Sequence, residues 1–141
     1  MSGSDVPSVP AALRAELQQE PWARALGVEY LALAPGYCRV ALDLAPHMLN
    51  HQGAPHGGVV FSLADIALGA ASNADGGRAV ALTATISFLA AAAPGSRLIA
   101  ECGERRRGRR AAFYDVTVTT DAGRVAARLT AVAHRIATPD A

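Results

Sequence analysis

The chain has 141 residues, enough for one domain with a single hydrophobic core and too few for a second catalytic domain. Its formal charge of +1 balances thirteen arginines against twelve acids, so no overall charge directs it to nucleic acid or to an anionic membrane. The N-terminus lacks the basic flank and apolar segment of a secretion signal. The two cysteines, Cys38 and Cys102, lack metal-ligand spacing, and we expect free thiols in the cytoplasm.

Hydrophobic periodicity divides the chain into a helical centre and flanking strands. The expected elements are a short helix from Pro10 to about Gln19, strands over 26–33 and 37–44, a loop over 47–55, a long helix over 57–74, and strands over 80–88, 97–104, 110–120 and 124–136. Short turns between long alternating strands predict an antiparallel meander. We expect 1–9 to be disordered, and we assign 1–25 to an N-terminal tail with a short helix, 26–136 to the domain and 137–141 to a C-terminal tail.

The most informative segment runs from Gly57 to Ala74 and contains one charge, Asp65. The segment is apolar nearly all round, so we expect a curved sheet to wrap around it. It approaches the length of a membrane span, but Asp65 and several glycine, serine and asparagine residues argue against insertion. Enclosing an unpaired carboxylate is costly, so Asp65 needs a partner, a proton or a catalytic role. Catalysis and satisfaction by neighbouring hydroxyls are equally compatible with this pattern.

Nine residues separate His56 from Asp65. At about 100° per residue, they lie on opposite faces of an ideal helix, about 13 Å apart along its axis. They cannot form a catalytic pair within one chain. Either their roles are unrelated, or Asp65 of one subunit meets the His56 segment of another, in which case a two-fold dimer contains two equivalent sites.

Gly57 and Gly58 begin the helix, where backbone N–H groups lack intrahelical acceptors and the helix dipole is positive. These groups could polarise an acyl carbonyl. Water activated by Asp65, or Asp65 itself through an anhydride, could then attack the carbonyl carbon. The sequence leaves both routes open.

The other polar residues of this region have structural alternatives. Asn50 could close a turn before Gly53, and His56 could cap the helix or form another local hydrogen bond. His47 and His51 are expected to be loop residues. The spacing of the histidines offers no acidic or cysteine fourth ligand nearby, so we expect no metal site.

Arginines dominate the segment from Arg105 to Arg110, which reads RRRGRR. One interpretation is a solvated hairpin tip, with like charges spread into water. The other is phosphate recognition, because guanidinium groups match phosphate oxygens. Nucleic acid is not expected, since the cluster is short and no aromatic residue interrupts it.

The segment HMLNHQGAPHGGVVFSLADIALGAASN resembles the hotdog-fold acyl-CoA thioesterases, specifically the PaaI-like branch of phenylacetic acid degradation. The resemblance rests on an asparagine six residues before His-Gly-Gly and on an aspartate nine residues after that histidine, within Leu-Ala-Asp. The stretches TISFLAAAAPG, YDVTV and AVAHRI extend it over about 26–136. It implies an α+β hotdog fold, a curved antiparallel sheet wrapped around one long central helix, with edge-to-edge dimers and homotetramers of two dimers.

The same resemblance implies hydrolysis of a phenylacetyl or hydroxyphenylacetyl thioester, with coenzyme A as part of the substrate and no metal or bound cofactor. It implies that Asp65 is the nucleophile or general base, that the Gly57 N–H polarises the carbonyl, and that Asn50 and His56 orient substrate or water. Thr83 is the candidate hydroxyl near Asp65. The expected substrate contacts, with the coenzyme A phosphates near the surface, are Gly58, Arg105, Arg106, Arg107 and Arg109.

Two alternatives share the fold. A protein could bind acyl-CoA or an aromatic ligand without turnover, but the complete motif set argues against this. The second alternative is a hydratase or dehydratase. Against it, the helix with Leu-Ala-Asp after His-Gly-Gly resembles the thioesterase branch. We expect no nucleic acid and no membrane partner.

Overall fold

The computed structural model describes residues 8–137, in which a six-stranded antiparallel sheet carries one long helix across its inner face. The elements are α1 (Ala11–Gln18), α2 (Pro21–Leu26), β1 (Glu29–Ala34), β2 (Tyr37–Asp43), a 3-10 turn (Pro46–Met48), α3 (Gly57–Asn73), β3 (Arg78–Phe88), β4 (Arg97–Arg107), β5 (Ala111–Thr120) and β6 (Val125–Ala137). The expected α+β class, with a curved antiparallel sheet and a long central helix, is confirmed.

The N-terminal region holds two helices where one was expected. Pro21 starts α2 at its first position, where a proline fits because its missing N–H would lack an intrahelical acceptor. As a result β1 begins at Glu29, three residues later than predicted. The disorder expected for the first nine residues is wrong at Val9, which is buried. The seven residues before Ser8, and the last four of the predicted C-terminal tail, lie outside the described residues.

The strand order is β1-β2-β4-β5-β6-β3, so only β4, β5 and β6 form the expected meander. β2 pairs with β4 although α3 and β3 lie between them in the chain, and β3 pairs with β6 at the far edge. Alternation identifies a strand but not its neighbour, which is why the sequence pattern gave the wrong order. Within the described sheet, β3 therefore has one side without a partner strand.

A bulge in β3 changes which side chains face the core. The register with β6 shifts at Leu82, which is the extra residue. Beyond it, Ala84 and Ile86 pack against the core as expected. Alternation over 80–88 predicts one core face for the five apolar residues Val80, Leu82, Ala84, Ile86 and Phe88. Val80, Leu82 and Phe88 are instead 47%, 61% and 57% exposed, so the prediction is wrong for these three in the single chain.

α3 packs on the sheet through one side and leaves the other open. Its buried residues are Val60, Leu63, Ala64, Ile66, Ala67, Leu68, Ala70, Ala71 and Ser72. Gly58, Ser62, Asp65 and Gly69 recur every three or four residues and remain partly or fully exposed. The complete enclosure expected for this helix is therefore not reached within one chain. No helix in residues 8–137 is long and apolar enough to cross a membrane.

The two cysteines, distant in sequence, face each other across β2 and β4. Both are free and buried, and burial raises the pKa of each thiol to about 12. Glu104 N–H donates to Gly36 O at 2.8 Å, which makes Cys38 and Cys102, two positions along, a hydrogen-bonded pair. Such pairs hold their Cβ atoms at the wide end of a range of about 4.5–5.5 Å, and a disulfide needs about 3.5–4.5 Å. The register therefore disfavours a bond between them.

Candidate active site

A cavity of about 360 Å³ opens beside the first turn of α3. Asn50 and Gly57, which the sequence analysis selected, both line it. The remaining lining residues are Ala54, Pro55, Val60, Phe88, Leu89, Ala90, Ala91, Ala92 and Ala126. Sequence reasoning did not select Phe88 or the alanines after it. An apolar run that continues past the end of a strand is the pattern that could have identified them.

Gly57 is the first residue of α3 and supplies an unpaired donor. No group in residues 8–137 accepts its N–H, as is usual in the first turn of a helix. The ring of Phe88 lies close by, with its Cζ 3.4 Å from where a Cβ would stand on Gly57. The free N–H and the positive end of the helix dipole can together polarise a carbonyl oxygen in this cavity.

His56 caps α3. Its Nδ1 accepts the N–H of Gly58 at 2.8 Å, and its extended backbone precedes the helix. This hydrogen bond occupies the N–H of Gly58, so the expectation that this group is available to substrate is wrong. A neutral imidazole that accepts at Nδ1 carries its proton on Nε2, which leaves Nε2–H to bind substrate or water.

Asn50 closes the turn that precedes the helix. Its Oδ1 accepts the N–H groups of Gln52 at 2.9 Å and Ala54 at 3.1 Å, and Gly53 completes the turn with a φ of 80°. The expectation that Asn50 closes a turn is thus confirmed. A second role in binding substrate is still open to Asn50, because it lines the cavity and its Nδ2 donates to no group in the described part of the chain.

Asp65 lies outside this cavity, eight residues after Gly57 and about 12 Å along the helix axis. Asp65 is exposed in the single chain, so the expectation that the protein encloses its carboxylate is wrong for one subunit alone. Its carboxyl group has no ion pair or hydrogen bond to residues 8–137, and partial burial still raises its pKa above the ordinary value. Glu20 is near: burial, and then the charge of Asp65, raise the pKa of Glu20.

Thr83 does not stand beside Asp65 in the chain. After the bulge, Thr83 lines a cavity with Thr130 on the outer face of the sheet, whereas α3 covers the inner face. Thr83 alternates with Ala84 and Ile86, which pack on the core, so it faces away from α3 of its own chain. The resemblance, and not the alternation, led to the expectation of a hydroxyl at Thr83 beside Asp65. Ala81, on the inner face at this level, has no hydroxyl.

Arg107 forms two ion pairs within the chain. A register shift near Arg105 turns Arg107 to the inner face, where it binds Asp75 at 2.9 Å and Glu104 at 2.8 Å. Arg135 also approaches Asp75, at 3.3 Å. These ion pairs fix the β4–β5 hairpin to the C-terminal end of α3, and they engage the guanidinium group of Arg107 that is expected to contact substrate.

The other arginines of the hairpin differ among themselves. Arg105 pairs with Asp115 at 3.2 Å and lies in the cavity of the outer face. Arg106 and Arg109 are exposed and have no acidic partner within the described residues. Arg106 and Arg109 therefore remain available to an anion.

The matches to known proteins agree with this architecture. The thioesterase superfamily profile matches residues 52–127, more than half of the chain. The acyl-coenzyme A thioesterase PaaI of Escherichia coli is 33% identical over 119 residues, which cover 84% of this chain and 85% of the relative.

Two solved structures show how far the fold agrees. E. coli PaaI, described as coming from the phenylacetic acid degradation operon, aligns with a TM-score of 0.86 at 31% identity, covering 92% of this chain and 96% of that one. A hypothetical thioesterase from Streptococcus pneumoniae TIGR4, solved with coenzyme A, aligns with a TM-score of 0.76 at 25% identity, covering 80% and 88%. The chain belongs to the thioesterase superfamily, adopts its hotdog fold and is a thioester hydrolase.

Proposed function

We propose that this enzyme hydrolyses acyl-CoA thioesters and prefers arylacetyl groups such as phenylacetyl or hydroxyphenylacetyl. The observation that carries the proposal is the unpaired N–H of Gly57 in a cavity that Asn50 also lines. The name of the E. coli relative and the operon given for its structure support the substrate class. The coenzyme A in the S. pneumoniae structure supports the carrier.

The proposed site is shared between two subunits. β3 is an eleven-residue edge strand with exposed Leu82 and Phe88, which suits it to pair with another strand. A two-fold pairing of such edges is antiparallel, so the α3 helices also run in opposite directions. With the axis near Phe61, Gly57 of one subunit faces Asp65 of the partner subunit. A homotetramer of two such dimers is the expected assembly.

The chemistry follows from the roles of these groups. The Gly57 N–H and the Nδ2 of Asn50 donate to the thioester oxygen, and the His56 Nε2–H orients water or substrate. The carboxylate of Asp65 takes a proton from water as the water oxygen adds to the carbonyl carbon. The C–S bond then breaks, and the coenzyme A thiolate leaves with the proton that Asp65 took from water, which regenerates the carboxylate. Direct attack by Asp65, with hydrolysis of the resulting anhydride, uses the same groups.

The same two-fold arrangement gives Arg106 and Arg109 a role. The β4–β5 hairpin adjoins Asp75, just before β3 begins, so antiparallel pairing brings it toward the Gly57 end of the other subunit. Exposed guanidinium groups there match the phosphates of coenzyme A. No metal or bound cofactor is part of the proposal. We place the enzyme in the cytoplasm, because a chain with two cysteines far apart in sequence suits a reducing compartment better than a disulfide scaffold.

The proposal is tested by measuring thiol release from phenylacetyl-CoA and from phenylacetyl-pantetheine, which lacks the nucleotide phosphates. We expect turnover of both, with a lower KM for the coenzyme A thioester because of the arginine contacts. Equal KM values for the two substrates would contradict the proposed contacts between the arginines and the coenzyme A phosphates. Tight acyl-CoA binding without thiol release would favour the binding alternative, and hydration of an enoyl-CoA would favour the hydratase.

Two substitutions separate the capping role of His56 from its catalytic role. His56→Ala removes the cap, and we expect a loss of about 1 kcal/mol in the free energy of unfolding, by analogy with other caps. His56→Asn should restore that stability, because asparagine is a good N-cap, while kcat/KM stays about tenfold or more below wild type, the scale of one lost hydrogen bond. Urea unfolding and thiol release measure the two effects. Full activity of His56→Asn would leave His56 with the cap alone.

A further inference from the structure

The cavity beside Gly57 has chemical features that bear on which acyl group the enzyme accepts. We propose that it is the acyl-binding site and that Phe88 and Ala90 determine its selectivity, an inference that rests on the function proposed above. The thioester carbonyl would lie at the Gly57 end, and the remainder of the acyl group would fill the space between Phe88 and Ala90.

The lining of the cavity is uncharged. None of its eleven residues has an ionisable side chain, and Asn50 provides the single side-chain amide. An acyl group that ends in a carboxylate would lose its hydration there without gaining a partner, which is costly. The cavity therefore favours uncharged acyl groups over dicarboxylic ones such as succinyl.

The cavity is also large for a short acyl chain. A cavity of about 150 Å³ accommodates benzene, and the cavity here is about 360 Å³. A phenyl ring with its methylene group therefore fits. Five alanines leave this space open. One of them, Ala90, is half-buried and does not line the cavity beside Ala93. A larger side chain at Ala90 would remove the space that the ring needs.

Phe88 gives the cavity an aromatic wall. Its ring carbons Cζ and Cε1 lie 3.4 and 3.5 Å from the position of a Cβ on Gly57, so the ring stands at the carbonyl end of the cavity. The side chain is 57% exposed and is not held in the core. An aryl group bound next to Gly57 would meet this ring, and aromatic pairs attract each other beyond the burial of their area.

The test compares Ala90→Leu with Ala93→Leu. Ala93 is exposed, three residues away, and lines a different cavity, so it controls for adding the same side chain to the same loop. We expect Ala90→Leu to lower the ratio of kcat/KM for phenylacetyl-CoA to that for acetyl-CoA about tenfold to a hundredfold. Ala93→Leu should leave the ratio unchanged. Phe88→Leu should lower it about threefold to tenfold, the scale of one aromatic contact.

Binding distinguishes failure of this inference from failure of the proposed function. The Kd of the non-hydrolysable thioether analogue of phenylacetyl-CoA is measured by calorimetry for the same variants, and for Ala54→Leu on another wall of the cavity. Discrimination in Kd without turnover would overturn the proposed function and retain the acyl site. Turnover with an unchanged ratio and unchanged Kd in folded Ala90→Leu and Ala54→Leu would overturn the acyl site. Succinyl-CoA turnover equal to that of phenylacetyl-CoA would also overturn it.

Discussion

Replacing Asp65 with asparagine should lower the turnover of phenylacetyl-CoA by at least about a hundredfold, the scale on which a general base or nucleophile contributes. Asparagine has nearly the same shape but neither accepts a proton from water nor forms the anhydride. Fold and assembly should persist, because the carboxylate makes no ion pair or hydrogen bond within the described residues. Thiol release measures the rate, and size-exclusion chromatography measures the assembly.

The stability of this variant carries a second, independent expectation. Burial raises the pKa of Asp65, so the folded chain disfavours the charged carboxylate more than the unfolded chain does. The wild type should therefore be no more stable than Asp65→Asn at neutral pH. Any advantage of the variant should disappear as the pH falls through the raised pKa of Asp65, because the acid is then neutral as well. Over the same range the wild-type rate should fall, since protonation removes the base.

The matched control for Asp65→Asn is Glu16→Gln, which neutralises an exposed acid of α1. We expect wild-type turnover and an unchanged pH profile for this control. An Asp65→Asn enzyme that hydrolyses phenylacetyl-CoA at the wild-type rate would contradict the catalytic role of Asp65.

Mixing two inactive variants should restore activity if the site is shared between subunits. Asp65→Asn removes the base, and Asn50→Asp removes the Nδ2 donor while keeping the oxygen that accepts from Gln52 and Ala54. In the mixed dimer, one site carries both defects and the other carries neither. We therefore expect about half of the wild-type activity per mixed dimer.

The controls for the mixing experiment are the two homodimers, each of which should stay below a few per cent of wild type, in line with the loss of a catalytic group. Purification through two different affinity tags establishes that mixed dimers are present. If each site lay within one chain, every site in the mixed dimer would carry one defect. No recovery in confirmed mixed dimers would thus favour a site contained in a single chain.

Much of the fold could be predicted because local patterns encode local structure. Alternation located β2, β5 and β6 to within about a residue, and the apolar segment gave α3 almost to its ends. The bulge at Leu82 could not be predicted, since Val80 and Leu82 are apolar although exposed, and the alternation therefore continues through it unbroken. That single shift turns Val80 away from the core face that it would otherwise share with Ala84 and Ile86.

In the candidate site, too, the residues that are close in sequence could be predicted and the contacts between distant residues could not. Asn50, His56 and Gly57 could be selected because they are close in sequence, and the loop and helix start that join them are local. The partners of Arg107 could not be selected, because Asp75 approaches it from the end of a different element. Phe88 and Ala90 were not selected for a similar reason: their importance comes from the cavity that they form with distant residues.

The sequence by itself determined the helix with one charge and the family resemblance, because periodicity and motif spacing are properties of neighbouring residues. It also determined that His56 and Asp65 cannot meet within one helix. The tertiary structure decided that β3 is an edge and that Asp65 lies on the open side of α3. It also decided that Asn50 and Gly57 line one cavity with Phe88 and Ala90. These features depend on strand order and on packing between distant residues, which no local pattern specifies.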